Sequence, residues 1–411
     1  MRNLFRFGAA GLAIALMPSA AVTAPPQSTC GIAGQDLTPV GDGPLVLAAI
    51  HCLELSHGIS GGASPPAPSP DRKAFFMFDV SSGLWLGETR SEPTLRNVEA
   101  DVTALNALEY DPPFTWSDRG YYVLGVRQKK MKPRGGWALG PLRPFLVSMN
   151  GEFQTLPALV SPAGPLDEVH WVGNAGLAIV LFGTKGSYYR PEHRDPLPTI
   201  ALVDARAGRI IQSIPLADLT PNPSVRSINQ VAWRIDRRGR VEALITLAPD
   251  LWISWEQGKT PHRMPIDVKP WRTPYALSPD GRSVLMMRGL SATGIICEHN
   301  AKCPPPTPST GVVAELRDIR SGRVIWSVTG TAPTFSNDGM PAISPNGRYA
   351  LISMPRSYEG ETAALIEMAS GKILQKIPSS GAFHSRFGFS SNTRLAWISG
   401  YSRLAEYRIS Q

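Results

Sequence analysis

The segment Leu277-Ser278-Pro279-Asp280-Gly281-Arg282 leads directly into the apolar segment Ser283-Val284-Leu285-Met286. A polar turn that contains Gly and precedes a short β-rich run is typical of a tight turn at the start of a buried strand. Clear copies lie at 343–348, before residues 349–352, and at 116–120, before residues 121–124. Weaker copies lie at 170–181, 233–245 and 389–398. The recurrence predicts a repeat protein built from short strands.

A second turn signature alternates with the first. It places an acidic residue four positions before a Gly, at Asp79 to Gly83, Asp204 to Gly208, Asp318 to Gly322 and Glu367 to Gly371. Similar hairpins without that acid lie around Gly151 and Gly258. A tight hairpin needs a residue with positive φ, which Gly adopts at little cost. Each copy therefore predicts two paired strands.

The spacing of the two signatures predicts the architecture. The turn glycines of the first signature, Gly120, Gly176, Gly239, Gly281 and Gly347, are separated by 56, 63, 42 and 66 residues, with one second-type hairpin between consecutive copies. Two hairpins per unit make a four-stranded antiparallel sheet, so we predict an all-β fold, a β-propeller of four-stranded blades. Seven blades are favoured and six are the alternative; a β-sandwich would not require two alternating turn types.

The two ends of the chain bear on closure and location. Arg2 and Arg6, the apolar run 8–17 and Ser19-Ala20-Ala21 match a secretory signal, so residues 1–21 are predicted to be a signal peptide and the protein periplasmic or secreted. We place an N-terminal extension at 22–68 and the propeller at 69–411.

The segment 387–409 offers only three strands, while the N-terminal part offers the pair 75–80 and 84–88. We expect N-terminal strand residues to complete the last blade. We expect no stable membrane insertion, because no later segment is long and apolar enough to span a bilayer.

Charge and cysteine content limit the function classes. The full chain of 411 residues has a formal charge of +8 and the mature chain +6, which suits anionic partners but not a nucleic-acid-binding composition. The four cysteines of an exported chain predict two disulfides, Cys297 with Cys303 and Cys30 with Cys52, among three possible connectivities. His299 between Cys297 and Cys303 lacks a second ligand pair, so we expect no metal site and no cofactor.

The turns at Ser278 to Arg282 and Ser344 to Arg348, with the acidic hairpins, resemble the propeller repeats of the TolB type. They are also similar to the N-terminal propeller of prolyl-oligopeptidase-like enzymes. The resemblance covers the chain from about residue 69 onward. It implies a propeller fold, and since unrelated proteins share this repeat it implies little about activity.

A hydrolase is the competing class. Gly58-Ile59-Ser60-Gly61-Gly62 contains Gly-x-Ser-x-Gly, but the Pro-rich residues 63–68 that follow do not suit the helix that this motif needs. We interpret the motif as a loop and predict no catalytic residue. The enzymatic alternatives are a peptidase-related hydrolase, or a lyase or lactonase with its site at the central channel.

Long insertions between the second and third strands of the units point instead to binding. The loop 127–143 contains Lys130 and Arg134, and the loop 185–194 contains Tyr188, Tyr189, Arg190 and His193. The loops 290–311 and 355–361 are expected on the same face, which we call the long-loop face. Cationic and aromatic side chains suit a carboxylate-bearing peptide, a glycan or an acidic protein. We therefore predict a non-catalytic periplasmic propeller that binds a peptide or protein partner through this face.

Overall fold

The computed structural model describes residues 37–52, 67–68, 74–79, 83–88, 95–99, 102–103, 114–117, 120–131, 137–139, 143–147, 153–164, 166–172, 176–183, 198–220, 228–247, 251–266, 273–288, 309–332, 340–357, 360–379, 386–400 and 403–410. Within these residues the chain forms β-strands, their connecting turns and the 3-10 turn Leu216–Asp218. The strands form seven antiparallel sheets. The prediction of an all-β propeller of four-stranded blades is confirmed: six of these sheets have four strands, and the sheet of blade 2 has six. The number of sheets agrees with the favoured number of blades.

The first strand and the first two blades lie within residues 45–155. The first strand is β1 (Leu45–Cys52). Blade 1 contains β2 (Ala67–Pro68), β3 (Ala74–Asp79), β4 (Gly83–Glu88) and β5 (Leu95–Glu99). Blade 2 contains β6 (Val102–Thr103), β7 (Phe114–Ser117), β8 (Gly120–Met131), β9 (Trp137–Leu139), β10 (Arg143–Val147) and β11 (Phe153–Thr155).

Blades 3 and 4 are regular. Blade 3 contains β12 (Leu166–Trp171), β13 (Leu177–Phe182), β14 (Thr199–Asp204) and β15 (Arg209–Pro215). Blade 4 contains β16 (Ile228–Ile235), β17 (Val241–Leu247), β18 (Leu251–Glu256) and β19 (His262–Arg263).

Blades 5 to 7 complete the chain. Blade 5 contains β20 (Tyr275–Leu277), β21 (Ser283–Met287), β22 (Ser309–Asp318) and β23 (Val324–Ala332). Blade 6 contains β24 (Ala342–Ile343), β25 (Tyr349–Ser357), β26 (Gly360–Glu367) and β27 (Ile373–Ser379). Blade 7 contains β28 (Arg386–Phe389), β29 (Leu395–Gly400) and β30 (Arg403–Ile409), and β1 is its outer strand.

Blade 7 therefore unites the two ends of the chain. Leu45 pairs with Ile409 and Cys52 with Arg403 across β1 and β30. An N-terminal strand completes the last blade, as the missing fourth strand required. The strand comes from 45–52, within the segment assigned to the N-terminal extension, whereas the pair 75–80 and 84–88 belongs to blade 1.

The core lies between the blades. Consecutive blades from 3 to 7 place their innermost strands side by side, and one apolar cluster fills each seam. Between blades 3 and 4, for example, Ile179 and Leu202 pack with Val231 and Ile245, all nearly fully buried. Burial of such side chains contributes about 1.5–3 kcal/mol each, which makes seam packing the main source of stability.

Glutamine side chains add polar links at three seams. Gln230 of blade 4 hydrogen bonds both the N–H and the C=O of Tyr275 in blade 5, at 3.2 and 2.6 Å. Gln375 of blade 6 does the same to Leu45 of blade 7. Gln212 of blade 3 accepts from Gly258 N–H and donates to Lys259 C=O in blade 4. We call this arrangement a glutamine bracket; it fixes one blade against the next.

Candidate functional site: the turn face

The Ser-Pro-Asp-Gly-Arg turn is held by its own side chains. Ser278 Oγ donates to Asp280 Oδ1 at 2.6 Å and accepts from Ser283 N–H at 3.0 Å. Asp280 Oδ1 also accepts from Arg282 N–H, and Gly281 has a φ of 71°. The sequence folds this way because short polar side chains hydrogen bond nearby backbone groups and Gly tolerates positive φ. The turn exposes the side chain of Arg282.

Two further copies repeat this geometry in blades 6 and 7. Ser344 Oγ donates to Asn346 Oδ1, and Ser390 Oγ donates to Asn392 Oδ1, both at 2.8 Å. The copy in blade 7 has Thr393 where the others have Gly, and Thr393 still adopts a φ of 57°. The weak copy around Asn392 is thus a complete turn, and the hydrogen bonds of Ser390 and Asn392 define it.

The second signature forms the other turn of each blade. Asp204 Oδ1 accepts from Arg206 and Ala207 N–H, and Asp318 Oδ1 accepts from Ser321 N–H and Oγ. Glu367 accepts from Ser370 Oγ. The acid of this signature therefore has a structural role, because it accepts hydrogen bonds from donors of its own turn and so holds the turn in place.

The two turns of a blade lie side by side. Ile319 N–H donates to Arg282 C=O in blade 5, and Met368 N–H donates to Arg348 C=O in blade 6, both at 2.9 Å. Neighbouring blades are linked at the same edge, where Arg234 Nη1 of blade 4 donates to Pro279 C=O of blade 5 at 3.2 Å. These contacts form one surface, which we call the turn face. It comprises the turns at 204–209, 236–240, 256–259, 278–282, 318–323, 344–348, 367–372 and 390–394.

Four carboxylates on the turn face have lowered pKa values, and local hydrogen bonds are the cause. The N–H of Arg240 hydrogen bonds Asp236 and lowers the pKa of that carboxyl, and the hydrogen bond from Lys259 lowers the pKa of Glu256. The hydrogen bond from Ser321 lowers the pKa of Asp318. Burial raises the pKa of Asp280, but hydrogen bonds from Ser278 and Arg282 outweigh it, so the pKa is lowered. Each carboxylate already has local partners.

Cationic side chains on this face are mostly exposed. Among the described residues, Lys259 pairs with Glu256, and the other exposed cations form no ion pair. Those other cations are Arg206, Arg209, Arg237, Arg238, Arg282, Arg320, Arg323, Arg348, Lys372 and Arg394. The turn face is therefore positively charged, with guanidinium groups available to an anionic partner.

Ion pairing is concentrated at the blade 4 corner. Arg240 Nη2 lies 2.8 Å from both Asp236 Oδ2 and Glu256 Oε1, and Arg234 pairs with Glu242. The hydrogen bond to Asp236 raises the pKa of Arg240. Arg234 and Arg240 are held by these ion pairs beside the 236–240 turn, whereas Arg237 and Arg238 at the tip of the turn are exposed to solvent.

The predicted long-loop residues fall largely outside the described part of the chain. Arg134, Tyr188, Tyr189, Arg190 and His193 lie outside it, so their role stays a prediction. Lys130 lies in β8, which extends to Met131 and pairs with β9. Part of the expected loop 127–143 is thus a β-hairpin, because residues 127–131 continue the strand of blade 2.

The predicted disulfides and the Gly-x-Ser-x-Gly motif also fall largely outside the described part of the chain. Cys30, Cys297, Cys303 and Ser60 lie outside the described residues, so the disulfides and the motif around Ser60 are untested. Cys52 is the last residue of β1. His170, in β12, is buried, with 4% of its surface exposed, and its Nε2 lies 3.9 Å from Glu168 Oε2.

Sequence reasoning did not single out the cations of the turn face. A signal was present, because Arg282, Arg348 and Arg394 each follow the turn residue with positive φ, and Arg240 follows Gly239. The long insertions are a more conspicuous signal in the sequence. The strand ends that one of them joins, Phe182 and Thr199, lie at the edge of blade 3 opposite the 204–209 turn.

The part of the chain that the structure describes carries no signature of a metal centre or of a membrane span. It contains no group of three or more His, Cys, Asp or Glu side chains that could hold a metal ion. No helix among the same residues is long and apolar enough to cross a membrane. A scan against protein-family models finds no match, and a search of curated proteins finds none either.

Proposed function

We propose that this protein is an exported, non-catalytic β-propeller that binds an acidic peptide or protein partner through its turn face. The supporting observation is the division of charge on that face. Its carboxylates accept hydrogen bonds within their own turns or pair with neighbouring cations, while Arg237, Arg238, Arg320 and Arg323 are exposed without ion pairs among the described residues. Export is inferred from the signal-like segment 1–21.

The chemistry of the exposed groups favours carboxylates. A guanidinium donates two parallel hydrogen bonds to one carboxylate, and arginines outnumber lysines on this face. An acidic segment that extends over several turns would meet several arginines. Its affinity should therefore fall as salt screens these charges.

The scaffold supports such binding because its turns are held in place before a partner arrives. The brackets of Gln230 and Gln375 and the hydrogen bond from Trp326 Nε1 to Met368 C=O, at 2.8 Å, fix three consecutive seams. A surface that is ordered in advance loses less conformational entropy on binding.

The long-loop face is the alternative contact surface within the same function. Phe182 and Thr199 pair where β13 ends and β14 begins, at the edge of blade 3 opposite the 204–209 turn. The residues Tyr188, Tyr189, Arg190 and His193 belong to the connection between these strands. Substitutions on the turn face and on the long-loop face therefore have different expected effects on binding, depending on which face contacts the partner.

The test is a titration of a fluorescein-labelled Glu-Ser dodecapeptide, followed by fluorescence anisotropy, with a Lys-Ser peptide as the charge control. The proteins are the mature chain, the turn-face variant Arg237→Gln/Arg238→Gln and the long-loop variant Lys130→Ser/Arg134→Ser/Tyr189→Ser/Arg190→Ser. Arg263 and Lys376 are exposed on outer strands and lie outside the turns of this face, so Arg263→Gln/Lys376→Gln is the matched control.

We expect the turn-face variant to bind the acidic peptide at least about tenfold more weakly, while the outer-strand control binds like the unmodified protein. Loss only in the long-loop variant would move the contact surface to the opposite face. Equal binding of acidic and basic peptides by all proteins would contradict the proposed function.

A further inference from the structure

Blade 4 exposes an apolar pair at the turn face. Val231, Trp233 and Ile235 alternate along β16 and therefore share one side of the sheet. Val231 is 5% exposed and packs into the core between blades 3 and 4, whereas Trp233 is 39% and Ile235 43% exposed. The row of side chains that fills the seam thus continues uncovered toward the turn at 236–240.

Around Trp233 and Ile235 the carboxylates have ion-pair partners, whereas two of the arginines have none among the described residues. Glu242 and Asp236, which flank the hairpin, pair with Arg234 and Arg240. Arg237 and Arg238 at the tip of the same hairpin are exposed and form no ion pair among the described residues. An exposed indole and an exposed branched aliphatic side chain therefore adjoin two exposed guanidinium groups.

We infer that Trp233, Ile235, Arg237 and Arg238 form the anchor for an acidic segment of a partner protein that also carries an aromatic or aliphatic side chain. The inference rests on the proposed function and names the site within the turn face. Trp and Arg are the residues most enriched at binding hot spots, where a few side chains dominate affinity. The apolar pair would cover one side chain of the partner, while the arginines would bind carboxylates next to it.

The charge pattern argues against a second copy of this chain as the preferred occupant. The carboxylates on the turn face already have hydrogen-bond or ion-pair partners. The exposed charged groups without an ion pair among the described residues of this face are positive. Two turn faces would repel each other, whereas an acidic segment complements the surface.

The experiment compares two fluorescein-labelled dodecapeptides by anisotropy. One alternates Glu and Ser, and the other has Phe at two central Ser positions. The proteins are the mature chain and its Trp233→Ala and Ile235→Ser variants. Val46 is 58% exposed on β1 of blade 7, so Val46→Ser is the control for loss of an exposed apolar side chain. Urea unfolding of each variant checks that the fold is retained.

We expect the mature protein and Val46→Ser to bind the Phe-containing peptide about tenfold more tightly than the Glu-Ser peptide. Trp233→Ala and Ile235→Ser should reduce that preference and leave binding of the Glu-Ser peptide nearly unchanged. An unchanged preference in both variants would overturn the anchor and leave the proposed function standing.

Two other outcomes are distinguishable. Failure of every protein to bind either acidic peptide would overturn the proposed function together with the anchor. Sedimentation velocity of the mature protein measures self-association. Self-association that Trp233→Ala abolishes, in a protein that binds neither peptide, would assign Trp233 and Ile235 to contact between copies of the chain and overturn the proposal.

Discussion

The side-chain amide of Gln375 in blade 6 hydrogen bonds both polar backbone groups of Leu45 in blade 7. Gln375 Oε1 accepts from Leu45 N–H at 2.8 Å, and Gln375 Nε2 donates to Leu45 C=O at 3.1 Å, in a buried environment. Close by, Val40 and Lys376 exchange backbone hydrogen bonds. The strand that joins the two ends of the chain is therefore attached to blade 6 as well as to β30.

Replacement of Gln375 by Ala should destabilise the protein by about 2 kcal/mol or more, because buried N–H and C=O groups of Leu45 lose their partners. Gln212 provides a matched control, since it makes the same kind of bracket to Gly258 and Lys259 at an exposed site. Gln212→Ala should cost no more than about 0.5 kcal/mol, because water replaces the lost bonds. Urea unfolding measures both values; equal losses would contradict a special role for the bracket of Leu45.

Thr393 should be replaceable by Gly with a gain in stability. Thr393 adopts a φ of 57° in the turn where Gly281 and Gly347 occupy the equivalent positions. A β-branched residue in this conformation is strained, so Thr393→Gly should raise the free energy of unfolding by about 1 kcal/mol.

The reciprocal change provides the control for Thr393. A Cβ atom at Gly347 would make only an ordinary van der Waals contact, with Pro279 Cδ at 4.0 Å. Gly347→Thr therefore introduces backbone strain without a steric clash, and it should lower stability by a similar amount in the same unfolding assay. A loss of stability in Thr393→Gly would show that side-chain contacts outweigh the strain.

Two buried tryptophans should respond differently to replacement by Phe. Trp326 Nε1 donates to Met368 C=O, whereas Trp255 Nε1 is buried and has no hydrogen-bond partner in the described part of the chain. Both changes remove the same atoms, so their difference isolates the N–H group. Trp326→Phe should be the more destabilising by about 1–2 kcal/mol. Thermal unfolding followed by circular dichroism tests this. Equal losses of stability in the two variants would contradict the assignment of Trp255 Nε1–H as a group without a hydrogen-bond partner.

Stability should fall in acid because the turn carboxylates titrate. The pKa values of Asp236, Glu256, Asp280 and Asp318 are lowered in the folded protein, so near the ordinary carboxyl value of about 4 the unfolded chain binds more protons. Their stabilisation is complete above about pH 5, where these groups are ionised in both states, and it is lost as the pH falls through the lowered values.

Asp318→Asn should weaken this pH dependence. Urea unfolding near pH 6 and near pH 3 would show a smaller difference in the variant than in the unmodified protein. The control is Asp218→Asn, which replaces an exposed aspartate without an ion pair among the described residues. An unchanged pH dependence in Asp318→Asn would remove that carboxylate from the explanation.

Turn chemistry explains how much of the fold was predictable. Gly176, Gly239, Gly281 and Gly347, and equally Gly208, Gly258, Gly322 and Gly371, all have positive φ at the turns that the two signatures predicted. These signals are local, since each depends on a few adjacent residues. They define the hairpins, and two hairpins define each blade.

Non-local features were harder to predict. Leu45 and Ile409 pair although they stand at opposite ends of the chain, and no turn links them. The need for a fourth strand was apparent from the C-terminal segment, but not which N-terminal segment supplies it. The turn-face cations were missed for a related reason: an arginine in one turn is ordinary, and only the alignment of successive blades brings many of them onto one surface.

The most direct test of the central claim is photo-cross-linking of the mature protein with an acidic Glu-Ser dodecapeptide that carries benzoylphenylalanine at a central position, followed by peptide mapping with mass spectrometry. We expect cross-links in residues 231–240 and in the neighbouring turns at 204–209, 256–259 and 278–282, and their loss at high salt. Cross-links confined to the long loops at 127–143 and 185–194 would contradict binding at the turn face.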